Sequence, residues 1–178
     1  MKHSVYYKFL LGYILFGLIS ILVINMLSTR RVTQTVTADA AQSIYDKGNV
    51  ILNRYFNNDF SSLTTNPEIV KDIQNASALI NCRLWITDTN GRIVYDTNNI
   101  KLNEVISDFD ITDFGNRYYM VGDFYGNFDN ETLSVAIPIV GNFKTEGYMI
   151  FHRGTDVIKE RTNEVLKTIY WTFFIIYD

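Results

Sequence analysis

The chain has 178 residues, 47% of them hydrophobic and 15% aromatic, with a formal net charge of −3 at pH 7. A mildly acidic chain with no basic, aromatic-interleaved patch is no nucleic-acid binder, and its wealth of Tyr, Phe, Ile, Val and Leu excludes disorder. Cys82 is the sole cysteine, so no internal disulfide staples the fold.

The two ends carry the strongest pattern. Residues Phe9 to Leu27 contain no charged side chain. A bilayer core is about 30 Å thick and takes about 20 apolar residues in a helix, so this run is long enough to span it. Ile169 to Tyr177 begins a second apolar run of about half that length. Tyr6, Tyr7 and Tyr13, and then Tyr170 and Trp171, suit the interfacial belts of such spans. Ala38-Asp39-Ala40 spells a small-x-small cleavage site, but it lies too far beyond the run, and the run is too long for a signal peptide. Lys2 and Lys8 before the run balance Arg30 and Arg31 after it, so charge leaves the orientation nearly tied. A large folded middle favours export of that middle. The expected plan is a cytoplasmic tail over 1–8, an uncleaved transmembrane helix over 9–29 and an extracytoplasmic domain over 30–154. An exit helix over 155–178 then enters a truncated second span. The protein belongs in the cell membrane, with residues about 30–167 outside the cytoplasm.

After Arg31 the period is helical. Val36, Ala40, Ile44, Ile51 and Tyr55 form one stripe with Gly48 inside it, and Asn57-Asn58-Asp59 should end the helix. The stripe fits either the domain's own sheet or the seam of a dimer. Asn66-Pro67-Glu68 is a helix start, with Ile69, Ile73, Ala76 and Ile80 as its apolar face. Cys82 to Asp88 and Arg92 to Asp96 read as paired strands around Asn90-Gly91, a turn in which both central residues want positive φ. Leu102, Val105 and Ile106 suggest a short helix. Arg117 to Phe124, Leu133 to Val140 and Gly147 to His152 are three further strands, with Pro138 marking an edge. From Thr155 the helical period returns through Val157, Ile158 and Val165 without a breaker. The expected class is α+β: a five-stranded antiparallel sheet with helices on one face.

Leu84 to Asp96 (LWITDTNGRIVYD) resembles the hairpin "apolar strand, Asp, x, x, Gly, apolar strand" of the extracytoplasmic PAS-like (Cache-like) sensor domains of bacterial membrane sensor histidine kinases. Gly122 to Phe128, Leu133 to Ile139 and Glu146 to His152 resemble further stretches of the same domains. The resemblance implies a homodimer that senses a stimulus outside the cytoplasm and relays it through the second membrane helix. It implies a parent that ends in a HAMP linker and a kinase, which uses ATP and Mg2+ and acts on a response regulator. The sequence holds no glycine-rich nucleotide signature, and its only histidines are His3 and His152, so no catalytic residue and no cofactor are assigned to this chain. Chemotaxis receptors and membrane diguanylate cyclases share this front half, and a complete membrane-anchored binding or adaptor protein is an alternative of a different class.

Candidate ligand contacts follow from residue type. Trp85, Tyr95, Tyr118 and Tyr119 could line a pocket, with Arg117 to pair a ligand carboxylate. Asp108, Asp110, Asp113, Asp123, Asp129 and Glu131 make a cation the other ligand class, although their spacing matches no calcium loop. His152 reads as a partly exposed strand-end residue, with a pH sensor as its functional alternative. Val36, Ala40, Ile44 and Ile51 on the first helix, and Val157 and Val165 on the last, are the expected dimer and signalling positions.

Overall fold

The computed structural model describes residues 3–56 and 59–177, with the side chains of 3–5, 21, 24–26 and 173–177 outside the described set. The chain divides into two compact units, Met1–Val36 with Lys159–Asp178, and Thr37–Ile158. The first unit is helical. It holds the leading part of α1 (His3–Tyr55) and most of α4 (Asp156–Tyr177). Among the described residues no helix is long and apolar enough to cross a membrane. Positions 21 and 24–26 of the first apolar run, and much of the second, lie outside the described side chains. Asn57 and Asn58, the expected helix stop, also lie outside the described residues.

The second unit is an α+β domain. After α1 come α2 (Ser62–Thr65) and α3 (Pro67–Leu79), then β1 (Arg83–Asp88) and β2 (Ile93–Asp96). A 3-10 helix (Ile111–Arg117) precedes β3 (Tyr119–Gly122), β4 (Thr132–Gly141) and β5 (Lys144–Gly154). The five strands form one antiparallel sheet in the order β2-β1-β5-β4-β3. The start of α3 is as read from sequence: Asn66 accepts the Glu68 N–H at 3.0 Å, and Pro67 takes the first turn, where its missing donor costs nothing.

Strand alternation divides the core. Leu84, Phe151 and Val135 lie in register across β1, β5 and β4, as do Ile86, Met149 and Ile137 one step away. This face receives α1: a Cβ on Gly48 would meet Ile137 at 2.3 Å and Phe151 at 2.6 Å, so the helix sits as close as glycine permits. Ile44 and Ile51, 1% and 8% exposed, flank that contact, and the stripe they belong to therefore serves the domain's own sheet. Val36 and Ala40 are half-buried, and Val157 and Val165 are exposed. The second face carries Trp85, Ile150 and Ala136 in register. It is roofed by the 3-10 helix and its flanking loops, so the sheet is covered on both sides rather than helical on one and wet on the other.

Two local expectations are corrected, and one holds in an unexpected way. The segment around Leu102 is not helical. Ile93 donates to Glu104 O at 2.9 Å and accepts from Asn103 N at 2.8 Å, which ties the segment to β2, and the short helix forms later. The β1–β2 turn is not the doubly positive one. The Asp88 carboxylate accepts N–H donors of Asn90 and Arg92 at 2.9 Å each, and only Gly91 takes positive φ, at 78°. The doubly positive turn sits instead between β4 and β5, at Asn142 (φ 50°) and Phe143 (φ 63°). Pro138 does face an open edge, although β4 is an inner strand. Ala136 N bonds Tyr118 O, β3 goes no further, and by alternation the Pro138 nitrogen points the same way into the gap.

Candidate functional site

The roofed face holds the polar residues that the hydrophobic pattern does not explain. Arg83 and Asp96 form a two-pronged ion pair, Nε to Oδ1 at 3.0 Å and Nη2 to Oδ2 at 2.6 Å. The Asp96 side chain is fully buried and also accepts the backbone N–H groups of Asn98, Ile100 and Lys101 at 3.0 Å each. Burial alone would raise its pKa. The Arg83 bond and the backbone donors outweigh that and hold it at about 2. The Arg83 guanidinium lies 5.2 Å from the Trp85 ring and 5.8 Å from Phe128, a cation over two π faces.

Next to this pair is His152, in register with Arg83 on β1 and Ser134 on β4. It is 3% exposed, not partly exposed as its place near a strand end suggested. Its Nδ1 lies 2.9 Å from Ser134 Oγ, and Trp85, Phe124 and Phe128 surround the ring at centroid distances of 4.5, 4.6 and 4.9 Å. Burial pushes its pKa down to about 3, with the Arg83 charge adding to the effect and Asp96 opposing it, so the imidazole is neutral. Among the described residues three buried polar atoms have no hydrogen-bond partner: His152 Nε2, Trp85 Nε1 and Thr87 Oγ1, whose residues share this face.

Among the described residues of this unit are two spaces of interest. A cavity of about 160 Å³ lies under the 3-10 helix, lined by Ile111, Phe114, Tyr118, Ala136, Pro138 and Tyr148. Its roof is conformationally special: Gly115 and Tyr118 both have positive φ, at 55° and 58°. Tyr125 pins that roof, accepting from Asp110 N at 3.3 Å and lying 2.9 Å from both Asp110 O and Asp113 Oδ2. Its burial and the nearby carboxylates raise its pKa to about 12, so it stays a phenol. The second space is a polar cleft of about 410 Å³ where β1 and β5 meet the start of α4.

The residues expected to bind ligand are dispersed. Trp85 is fully buried in the roofed face. Arg117 is exposed, at the end of the 3-10 helix between two residues that line the smaller cavity. Tyr119, paired with Val135, belongs to the α1 face. Tyr95, paired with Ile86, stands on the far edge strand, four strand spacings or about 19 Å from β3. Tyr95 and Tyr119 therefore cannot line one pocket. The acidic residues serve as caps and braces: Asp110 accepts from Thr112 N at 2.8 Å, and Asp113 meets Tyr125. Among the described residues no group of three His, Cys, Asp or Glu side chains is placed to hold a metal ion. Sequence reading missed Arg83 and Asp96, and it took His152 for a partly exposed residue. Alternation through Tyr148, Ile150 and His152 was the available signal, since it puts the histidine in phase with the core.

A five-stranded antiparallel sheet in this order, backed by a long helix and roofed on the other face, is an α+β fold with counterparts among solved structures. Two solved relatives in fold carry it: the ligand-binding domain of the Campylobacter jejuni chemoreceptor Tlp3 in complex with L-valine, and the same domain with 4-methylisoleucine. The first is 16% identical with a TM-score of 0.50 over 78% of this chain and 62% of that one. The second is 17% identical, also at 0.50, over 76% and 60%. The chain thus spans about three fifths of their length. No family model matches the chain, and no curated protein does.

Proposed function

We propose that this chain is the sensory input region of a membrane receptor. The run 9–27 anchors it, residues about 30–167 lie outside the cytoplasm, and the helix from Asp156 leads into a second span. The observation that carries the reading is the Cache-like fold, with a roofed, aromatic face that holds a small cavity. The ligand is a small aliphatic amino acid of the kind bound by the neighbouring structures. Its apolar side chain fills the cavity beneath the 3-10 helix, and its carboxylate meets Arg117 at the rim.

Relay follows from connectivity. A guest touching Tyr148 bears on β5, and β5 runs through Gly154 directly into α4. A ligand that fits one arrangement of that strand better shifts the population of exit-helix positions in a homodimer. Two outputs are equally supported. The hairpin resemblance favours a histidine kinase using ATP and Mg2+ and acting on a response regulator. The fold neighbours favour a chemoreceptor. The reading frame beyond Asp178 distinguishes them.

The test is thermal unfolding of the full chain in detergent with L-valine and L-isoleucine. A saturable rise in melting temperature is expected, since a ligand at 100 times its Kd adds about 2.7 kcal/mol. Ala136→Phe, which fills the cavity, should abolish the rise, and Arg117→Gln should weaken it. A rise that survives Ala136→Phe would place the ligand elsewhere.

A further inference from the structure

The polar cleft at the base of the sheet belongs to none of the machinery above. Among its walls are Asn81, Arg83, Asn98, His152, Arg153 and Asp156. Arg83 is occupied by Asp96. Arg153 and Asp156 are different. They stand three residues apart at the corner where β5 becomes α4, they line the same cleft, and they do not pair with each other. Arg153 binds the backbone carbonyls of Ile80 and Asn81 and the Cys82 side chain, and its charge has no carboxylate partner among the described residues. Asp156 likewise has no cation within ion-pair distance among them. A second, independent feature marks the place: His152, 97% buried by its 3% exposure, lines the cleft and carries one of the three orphaned polar atoms.

We infer that this cleft binds a small zwitterion, whose anionic group meets Arg153 and whose cationic group meets Asp156. Two opposite charges that line one cleft of about 410 Å³ without pairing leave room for a guest that satisfies both at once, and the two Asn side chains add neutral hydrogen-bonding capacity. A guest with one charge would leave the other wall unanswered. The site is independent of the cavity under the 3-10 helix, and its two charged walls lie on the strand end and on the first turn of the exit helix.

The test uses the full chain in detergent and isothermal titration with β-alanine, γ-aminobutyrate and glycine betaine as probes. Propionate and butylamine serve as single-charge controls. At least one zwitterion should bind saturably, and both controls should bind at least tenfold more weakly. Asp156→Asn should weaken that binding tenfold or more, as should Arg153→Gln. Asp156 is exposed, so its variant keeps the test valid if Arg153→Gln does not fold. Ala136→Phe, which fills the cavity under the 3-10 helix, should leave the binding of these probes unchanged, so the two sites fail separately. No zwitterion binding, equal binding of propionate, or binding indifferent to Asp156→Asn would each overturn the inference.

Discussion

A neutral imidazole packed among three aromatic rings, with Nδ1 against the Ser134 hydroxyl, resists protonation as long as the domain is folded. The unfolded chain binds the proton near the ordinary value of 6.5, and the folded chain near 3. Unfolding therefore takes up a proton in that window, and stability falls as pH drops below 6.5, by up to about 1.4 kcal/mol per unit. Asp96 adds to the loss only below its unfolded value of 3.8, as pH falls toward 2. Urea unfolding between pH 4.5 and 7.5, a range set by those values, should show this slope in the wild type. His152→Gln should flatten it, and an unchanged slope in that variant would assign the proton to another group.

Turn chemistry decides stability among the elements. The β4–β5 connection puts Phe143, fully exposed, at φ 63°. A non-glycine residue there costs about 1–2 kcal/mol. Phe143→Gly turns the pair into Asn-Gly, the sequence this turn prefers, and should raise the melting temperature, net of a glycine entropy cost of about 0.5–1 kcal/mol. Gly147 is the opposite case. A Cβ there would meet Thr87 O at 2.1 Å, between β5 and β1. Gly147→Ala should cost about 1–3 kcal/mol by overpacking, read as a lower urea midpoint. That close approach makes Gly147 a packing requirement of β5 against β1.

Over the whole molecule, the proposed topology makes a directional claim. With Cys82→Ser as background, a cysteine at exposed Asn142 should react with an impermeant thiol reagent on intact cells. Labelling only after lysis would put the domain inside. Helix relay makes a second claim, at the exposed positions Val157 and Val165. Disulfide crosslinks there should lock the output of the full-length receptor, and a normal response in efficiently crosslinked cells would reject rigid coupling through α4.

What the sequence determined by itself was most of the elements: α3 from Asn66-Pro67, the five strands from their alternation, and the helices at both ends from their period, but not α2 or the 3-10 helix. These signals are local, since capping, proline and side-chain periodicity act within a few residues. What only the tertiary structure decided was which face each strand residue meets. Ile44 and Ile51 went to the sheet because Gly48 lets α1 approach it. Tyr95 and Tyr119 went to opposite edges because β5 inserts between β1 and β4. His152 went to the interior because Arg83 and Ser134 lie beside it on neighbouring strands, far away in the chain. Strand order is set by long-range pairing, and no local pattern encodes it.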